Sequence, residues 1–256
     1  MIHHYKLILQ YKGTQYLGWQ VQPESAGKTV QGELNKALII VSKSNNVKSL
    51  GAGRTDAGVH ALGQVAKVSI ELEINPEHLV KAINGNLPED IRVLSGEVSD
   101  EEFFPTVHAT SKEYHYRFTT QRHPTALQND FIANSGFELD LQKMREACEI
   151  LKGKHDFTNF FCEGTDISST IREIFDAEIL EVPQAGFGML PSHYVFRVVG
   201  SGFLKQMVRL LMGALWNIGR GKITLEEFRA SLTSQKVKRL GPVAPPEGLY
   251  MVRVNY

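Results

Sequence analysis

The 256-residue chain has only two cysteines, Cys148 and Cys162. Two thiols are too few for a four-thiolate zinc site or a disulfide framework, so both are expected as reduced core thiols. Long apolar runs are missing as well. The longest candidate, Phe203 to Ile218, is interrupted by Lys205, Gln206 and Arg209 and falls short of the roughly 20 apolar residues of a membrane span, so no membrane partner is expected. The N-terminal Met1-Ile2-His3-His4-Tyr5-Lys6 lacks the charged-then-apolar layout and small-residue cleavage site of a secretory signal, and the expected location is the cytoplasm. Net charge is absent too, since 28 Lys+Arg face 28 Asp+Glu. With 42% apolar and 22% charged residues, the composition describes a soluble globular protein with a full core, built as one large domain or two small ones.

The charge is unevenly spread. Residues 186–256 hold ten Lys or Arg against three acids, an excess of seven that the rest of the chain offsets. Such a segment supplies either a basic face for nucleic acid or a set of solvated helix faces.

Strand and helix patterns alternate along the chain. Tyr5 to Tyr11 is a strand, Thr29 caps a helix whose face carries Val30, Leu34, Ala37, Leu38 and Val41, and Gln64 to Ile70 is a second strand. Asn75-Pro76 opens a helix that Leu87-Pro88 stops, and Ile91 to Val98 forms the next strand. The acidic, apolar-poor Glu97 to Glu102 marks a boundary, dividing the chain into halves 1–104 and 105–256. Beyond it, the pattern predicts strands over Glu113 to Thr120, Ile171 to Val182, Tyr194 to Val199 and Leu249 to Val254. Helices are predicted over Leu141 to Leu151, Phe203 to Ile218 and Leu225 to Leu232. Strand separations that permit hairpins, with few crossover units, indicate an α+β fold with mainly antiparallel sheets and two halves of similar order.

The loop Gly51 to Gly58 lacks the Gly-Lys-Ser/Thr ending of a P-loop and the spacing of a dinucleotide fingerprint, which leaves a small-molecule nucleotide enzyme without support. It presents Arg54, Thr55 and Asp56 together, with His60 just beyond. Two readings stand: an Arg54–Asp56 ion pair stapling a turn, or a carboxylate offered to a ligand on a glycine-rich turn. In Ser111 to Phe118, Tyr114, Tyr116 and Phe118 share one strand face, suited either to covering a core or to stacking a base. Lys205 and Arg209 lie four apart in the apolar helical stretch and are expected to share a face. An arginine there calls for a buried partner such as Asp56 or an anionic ligand. Gly200-Ser201-Gly202 is not a nucleophile elbow, and Cys162 has no base near it in sequence.

From Tyr11 to Tyr256 these pieces resemble the tRNA pseudouridine synthase A (TruA) family. The resemblance is carried by Gly18-Trp19-Gln20, Thr29-Val-Gln-Gly-Glu-Leu34 and above all Gly53-Arg-Thr-Asp-Ala-Gly-Val-His-Ala61 with Gly63-Gln64. It continues through Ala82-Ile-Asn-Gly-Asn-Leu-Pro88, Lys112-Glu-Tyr-His-Tyr116 and His155-Asp-Phe-Thr-Asn-Phe160. Phe203-Leu-Lys-Gln-Met-Val-Arg209, Gly219-Arg-Gly-Lys222 and Ala244-Pro-Pro-Glu-Gly-Leu-Tyr250 complete it. The departures are Phe161-Cys-Glu-Gly164, where a small polar segment is usual, and Glu173, where threonine is common.

The resemblance implies the pseudouridine synthase fold, two similar α/β halves with mainly antiparallel sheets around a central basic cleft. It also implies a homodimer and, as substrate, uridines at nucleotides 38 to 40 in the anticodon stem-loop of tRNA. Asp56 is implied as the catalytic aspartate, Arg54 as the residue that flips and holds the nucleotide, and Arg209 as the basic partner of the aspartate. Tyr114 is implied as the tyrosine that stacks on the target base, with Tyr116 as the alternative on the same face. Thr55, His60, Lys205 and Leu249 are expected to join substrate binding, and Lys205, Arg220, Lys222, Lys236, Lys238 and Arg239 form a candidate phosphate track. Isomerising uridine breaks the N1–C1′ bond and joins C5 to the same carbon without net redox change, so no cofactor or metal is expected. The competing class is a non-catalytic tRNA-binding or RNA-folding module in which Asp56 is only structural.

Overall fold

The computed structural model describes residues 1–121, 126–162, 167–184 and 192–256. Its elements in chain order are β1 (His3–Tyr11), α1 (Val30–Ser42), β2 (Lys48–Gly51), β3 (His60–Ile70), α2 (Pro76–Asn84), β4 (Ile91–Val98), β5 (Ser111–Thr119) and β6 (Ala133–Asn134). They continue with α3 (Leu141–Leu151), β7 (Gly153–Asp156), β8 (Ile171–Val182), β9 (His193–Gly200), α4 (Met207–Gly219), α5 (Leu225–Ala230) and β10 (Leu249–Asn255). The fold is mixed α+β with largely antiparallel strands. Every helix and strand read from periodicity is present. The short strands β2, β6 and β7, of two to four residues, are too brief to show a period.

Two compact units divide the chain, Met1–Thr110 with Tyr250–Tyr256, and Ser111–Leu249. The division thus falls at Thr110 rather than 104, and the C-terminal strand returns to the first unit because Tyr250 and Met251 pair in parallel with His60 and Ala61 of β3. In the first unit, β1 lies antiparallel between β4 and β3, and β2 pairs with the outer part of β3. Alternation on β1 buries Tyr5, Leu7, Leu9 and Tyr11. Leu34 and Leu38 of α1 and Leu79 and Ile83 of α2 are fully buried with them. Thr29 Oγ1 accepts the Gly32 N–H and Asn75 Oδ1 the Glu77 N–H, which fixes where both helices start. Two lysines that face each other across β1 and β3, Lys6 and Lys67, are roofed by the chain that follows β4. Lys67 donates to the Glu101 carbonyl beneath the Phe104 ring, and Lys6 pairs with Glu97 beside Tyr256.

In the second unit, β5, β9, β8 and β7 form an antiparallel run, with β6 parallel to β5. Tyr114, Tyr116 and Phe118 of β5 point into the core, and Trp216 of α4 meets Tyr116 and Phe118 edge-on. The opposite face carries an ion network. Arg197 reaches Glu113 at 2.9 Å, Asp176 at 2.6 Å and Glu178 at 3.0 Å, and His115 meets Glu113 at 2.7 Å.

Helix α4 departs from the pattern at its start. It begins at Met207, because Gln206 adopts a left-handed φ of 61° that a right-handed helix cannot continue. Lys205 therefore precedes the helix and does not share a helical face with Arg209, as the spacing had suggested. Arg209, Gly213 and Asn217 follow one another at four-residue spacing and form a stripe along α4. The returning chain is laced to this stripe in reverse order. Asn217 Nδ2 donates to the Leu240 carbonyl at 2.7 Å, Gly213 lies against Pro242, and Arg209 Nε donates to the Ala244 carbonyl at 2.7 Å. A Cβ at Gly213 would stand 1.9 Å from the Pro242 oxygen.

Gly213→Ala must therefore push the returning chain away, and about 3 kcal/mol or more of stability should be lost in urea titration. Arg197→Gln tests the ion network. Burial raises the Glu113 carboxyl, but hydrogen bonds from His115 and Arg197 outweigh this and hold it low, while the Asp176 carboxyl is lowered first by Arg197. Depressed folded values contribute stability above the unfolded value near 4, and that contribution is lost as pH falls through the folded values. The variant should be less stable than wild type by about 1–2 kcal/mol at pH 7, and the gap should narrow below about pH 4.

Candidate active site

The loop between β2 and β3 has no regular structure, so its backbone must be satisfied from outside. Trp19 N–H donates to the Thr55 carbonyl at 3.1 Å, Gly58 N–H to the Tyr16 carbonyl at 3.2 Å, and Val59 N–H to the Asp56 carbonyl at 3.2 Å. Gln64 Nε2, from within β3, donates to the Gly53 carbonyl at 2.7 Å. Glycine is required at position 18, where φ is +99° and a Cβ would lie 2.3 Å from the Thr55 oxygen. This packing turns Thr55 inward and leaves its neighbours outward, with Thr55 buried, Asp56 half-buried and Arg54 exposed. Contacts from Trp19, Tyr16 and Gln64 hold the turn.

Beneath Thr55 lies Tyr11, at the end of β1. Its hydroxyl is 2.9 Å from Thr55 Oγ1. Burial pushes the phenol up to about 12, and hydrogen bonds with Thr55 and Gln64 only partly oppose this, so the hydroxyl stays protonated at neutral pH. His60 is also internal. It is 1% exposed, its Nδ1 accepts the Gly13 N–H at 3.0 Å, and its ring stacks on Tyr250 at 4.7 Å. These contacts make it a support of the loop's far end. The supporting roles of Tyr11 and Gln64 are not evident from the sequence motifs alone. A tyrosine and a glutamine in apolar strands were the available signal, because buried polar side chains need partners.

In the second unit, the two candidate tyrosines separate. Tyr116 is fully buried, and its hydroxyl donates to the Pro245 carbonyl at 2.8 Å. Tyr114 lies at the edge of the same face, 7% exposed, with Phe203 set edge-on at 5.0 Å. Arg209 is half-buried and is the single charged residue of α4. Its backbone carbonyl accepts the Ala244 N–H at 3.1 Å, which completes a reciprocal pair with its own Nε contact. Lys205 is exposed, whereas Leu249 is 6% exposed and packs as core. Of the unusual segment Phe161 to Gly164, Glu163 and Gly164 lie outside the described residues. Cys162 Sγ contacts Gln206 Oε1 at 2.7 Å. No helix of the described residues is long and apolar enough to cross a membrane, and no three His, Cys, Asp or Glu side chains among them gather into a metal-binding group.

A family model described as tRNA pseudouridine synthase matches residues 7–101 and 147–256, which include the Asp56 loop, Arg209 and the closing strand. The chain belongs to the TruA family of tRNA pseudouridine synthases. It is an enzyme, an isomerase of tRNA. The chain is similar to a tRNA pseudouridine synthase A of Exiguobacterium sp., with 39% identity over 98% of this chain and 97% of the relative. It is likewise similar to those of Bacillus pumilus, at 39% over 98% of each chain, and Bacillus subtilis, at 37% over 98% of each.

Tyr11→Phe removes only the hydroxyl beneath Thr55. The expected loss is about 1 kcal/mol of stability in urea titration, together with a lower kcat and little change in KM. An unchanged kcat would confine this hydroxyl to the fold.

Proposed function

We propose that this TruA-family enzyme isomerises uridine at nucleotides 38 to 40, in the anticodon stem-loop of tRNA, and that Asp56 is its catalytic residue. The observation that carries the assignment is the loop geometry. Backbone contacts fix the turn on both sides, Thr55 anchors it from below, and half-buried Asp56 is carried on this rigid support. A carboxylate held this way can act as nucleophile or base with little reorganisation. The reaction detaches N1 of the uracil from C1′, turns the base and bonds C5 to C1′, and the proton on C5 leaves for N1. Electrons balance within the substrate, so the chain needs no redox partner or phosphate donor.

Arg54, outward on the same loop, enters the RNA stack and holds the displaced nucleotide. Tyr114, 7% exposed and set against Phe203, is assigned to stack on the base, and fully buried Tyr116 supports the core. Extrusion of a base costs a few kcal/mol, and contacts of these two kinds offset it. Arg209 is assigned as the basic catalytic residue. The first unit thus carries the chemistry, the second carries the basic RNA-binding surface, and the enzyme works as a cytoplasmic homodimer.

The test incubates wild type and Asp56→Asn with an unmodified tRNA transcript, and maps pseudouridine at single-nucleotide resolution. Product at positions 38 to 40 from the wild type alone is expected, with tRNA affinity preserved in the variant. Product from both proteins would mean that another residue performs the chemistry. Product elsewhere in the tRNA would overturn the substrate assignment.

A further inference from the structure

The piece His155 to Phe160 has no part in the chemistry above, yet it is tightly built. Asp156 Oδ1 accepts from Thr158 N–H at 2.9 Å, Thr158 Oγ1 at 2.7 Å and Thr170 Oγ1 at 2.6 Å. Phe157 and Phe160 are buried on either side, and Phe160 meets Phe228 of α5 edge-on at 5.9 Å. The turn so braced holds out one side chain, Asn159. Its Nδ2 donates to the Ser231 carbonyl at 2.9 Å and the Gln235 carbonyl at 3.0 Å, with a longer contact to Thr233 at 3.4 Å. Its Oδ1 accepts the Val237 N–H at 3.0 Å. One amide therefore ties down backbone groups spread over residues 231–237.

The segment it holds is exposed from Thr233 to Arg239 and has neither helix nor strand. It carries Lys236, Lys238 and Arg239 within four residues, and no acid occurs between Glu227 and Glu247. Like charges repel, so a short cationic loop of this kind spreads over many conformations unless something fixes it. Asn159 fixes its beginning, and the stripe on α4 fixes its end through Leu240, Pro242 and Ala244.

We infer that residues 233–239 form a preordered docking strip for the phosphate backbone of RNA, and that Asn159 is the positioning residue that sets its shape. Three cations on a fixed backbone meet phosphates without the ordering cost that a loose loop would incur on binding. The strip continues through Ala244 to Arg209, so its place is fixed relative to that arginine. The inference rests on tRNA being the substrate and is independent of which residue performs the chemistry.

Affinity for an unmodified tRNA transcript, measured across a salt series, tests it. Asn159→Ala should bind about tenfold more weakly at every salt concentration, because the cations remain and only their order is lost. The plot of log affinity against log salt should shift in parallel, and KM should rise with kcat unchanged. Neutralising Lys236, Lys238 and Arg239 together to Gln should instead flatten that slope by about two to three. Val237→Gly keeps the N–H that Asn159 accepts and loosens the backbone, and should shift the line in parallel by about threefold. Circular dichroism and Tm establish that each variant is folded. Wild-type affinity in Asn159→Ala overturns the inference, as does a wild-type slope in the triple variant, which would leave tRNA binding to other cations. Should Asn159→Ala not fold, wild-type affinity in Val237→Gly overturns the positioning role.

Discussion

Much of what matters in this enzyme is irregular chain, and irregular chain survives burial only if every backbone N–H and carbonyl finds a partner. Here side-chain amides supply many of those partners. Gln31 accepts the Val21 N–H and donates to the Ser49 carbonyl, and Asn84 pairs with both polar groups of Val93. Gln64 holds Gly53, Asn217 holds Leu240 and Asn159 holds residues 231–237. An amide offers the same donor and acceptor as a peptide unit, so it can end or bridge a segment where no strand is available. The loops gain definite shapes without becoming helix or sheet.

That constraint explains why the Asp56 loop needs glycines without being a phosphate loop. A phosphate loop turns its N–H groups toward a ligand, whereas this loop spends its polar groups on Trp19, Tyr16 and Gln64. The glycines allow close approach of protein to protein, as at Gly18 against Thr55. With these backbone groups occupied, the loop turns the Arg54 side chain outward and leaves Asp56 half-buried.

The sequence made some of this legible and hid the rest for identifiable reasons. Strands such as β1 and helices such as α3 follow from local periodicity, since burial of one face repeats every two or 3.6 residues. The caps at Thr29 and Asn75 were legible because their partners are two or three residues away. The start of α4 was not, because the left-handed Gln206 leaves no trace in composition. Tyr114 and Tyr116 occupy equivalent positions in an alternating strand, and distant contacts tell them apart, Phe203 against Tyr114 and Pro245, 129 residues on, at Tyr116. His60 belonged to a recognised motif, yet its burial against Gly13 and Tyr250 could not be read from that motif. Asn159 belongs to a motif whose sequence does not show its role, since its partners lie 72 to 78 residues away.

The stripe on α4 shows how one helix can solve two placement problems. A charged side chain on an otherwise apolar helix must be oriented, and an ion pair is a loose way to do it, because long charged side chains retain rotamer freedom. Arg209 is oriented instead by a carbonyl of chain already pressed against Gly213 and held at Asn217. Its Nε is committed to that carbonyl, which fixes the direction of the guanidinium. The same length of chain that grips Arg209 emerges as the cationic segment 233–239. The contacts at Asn217, Gly213 and Arg209 thus fix both the direction of the arginine and the place where that segment meets α4.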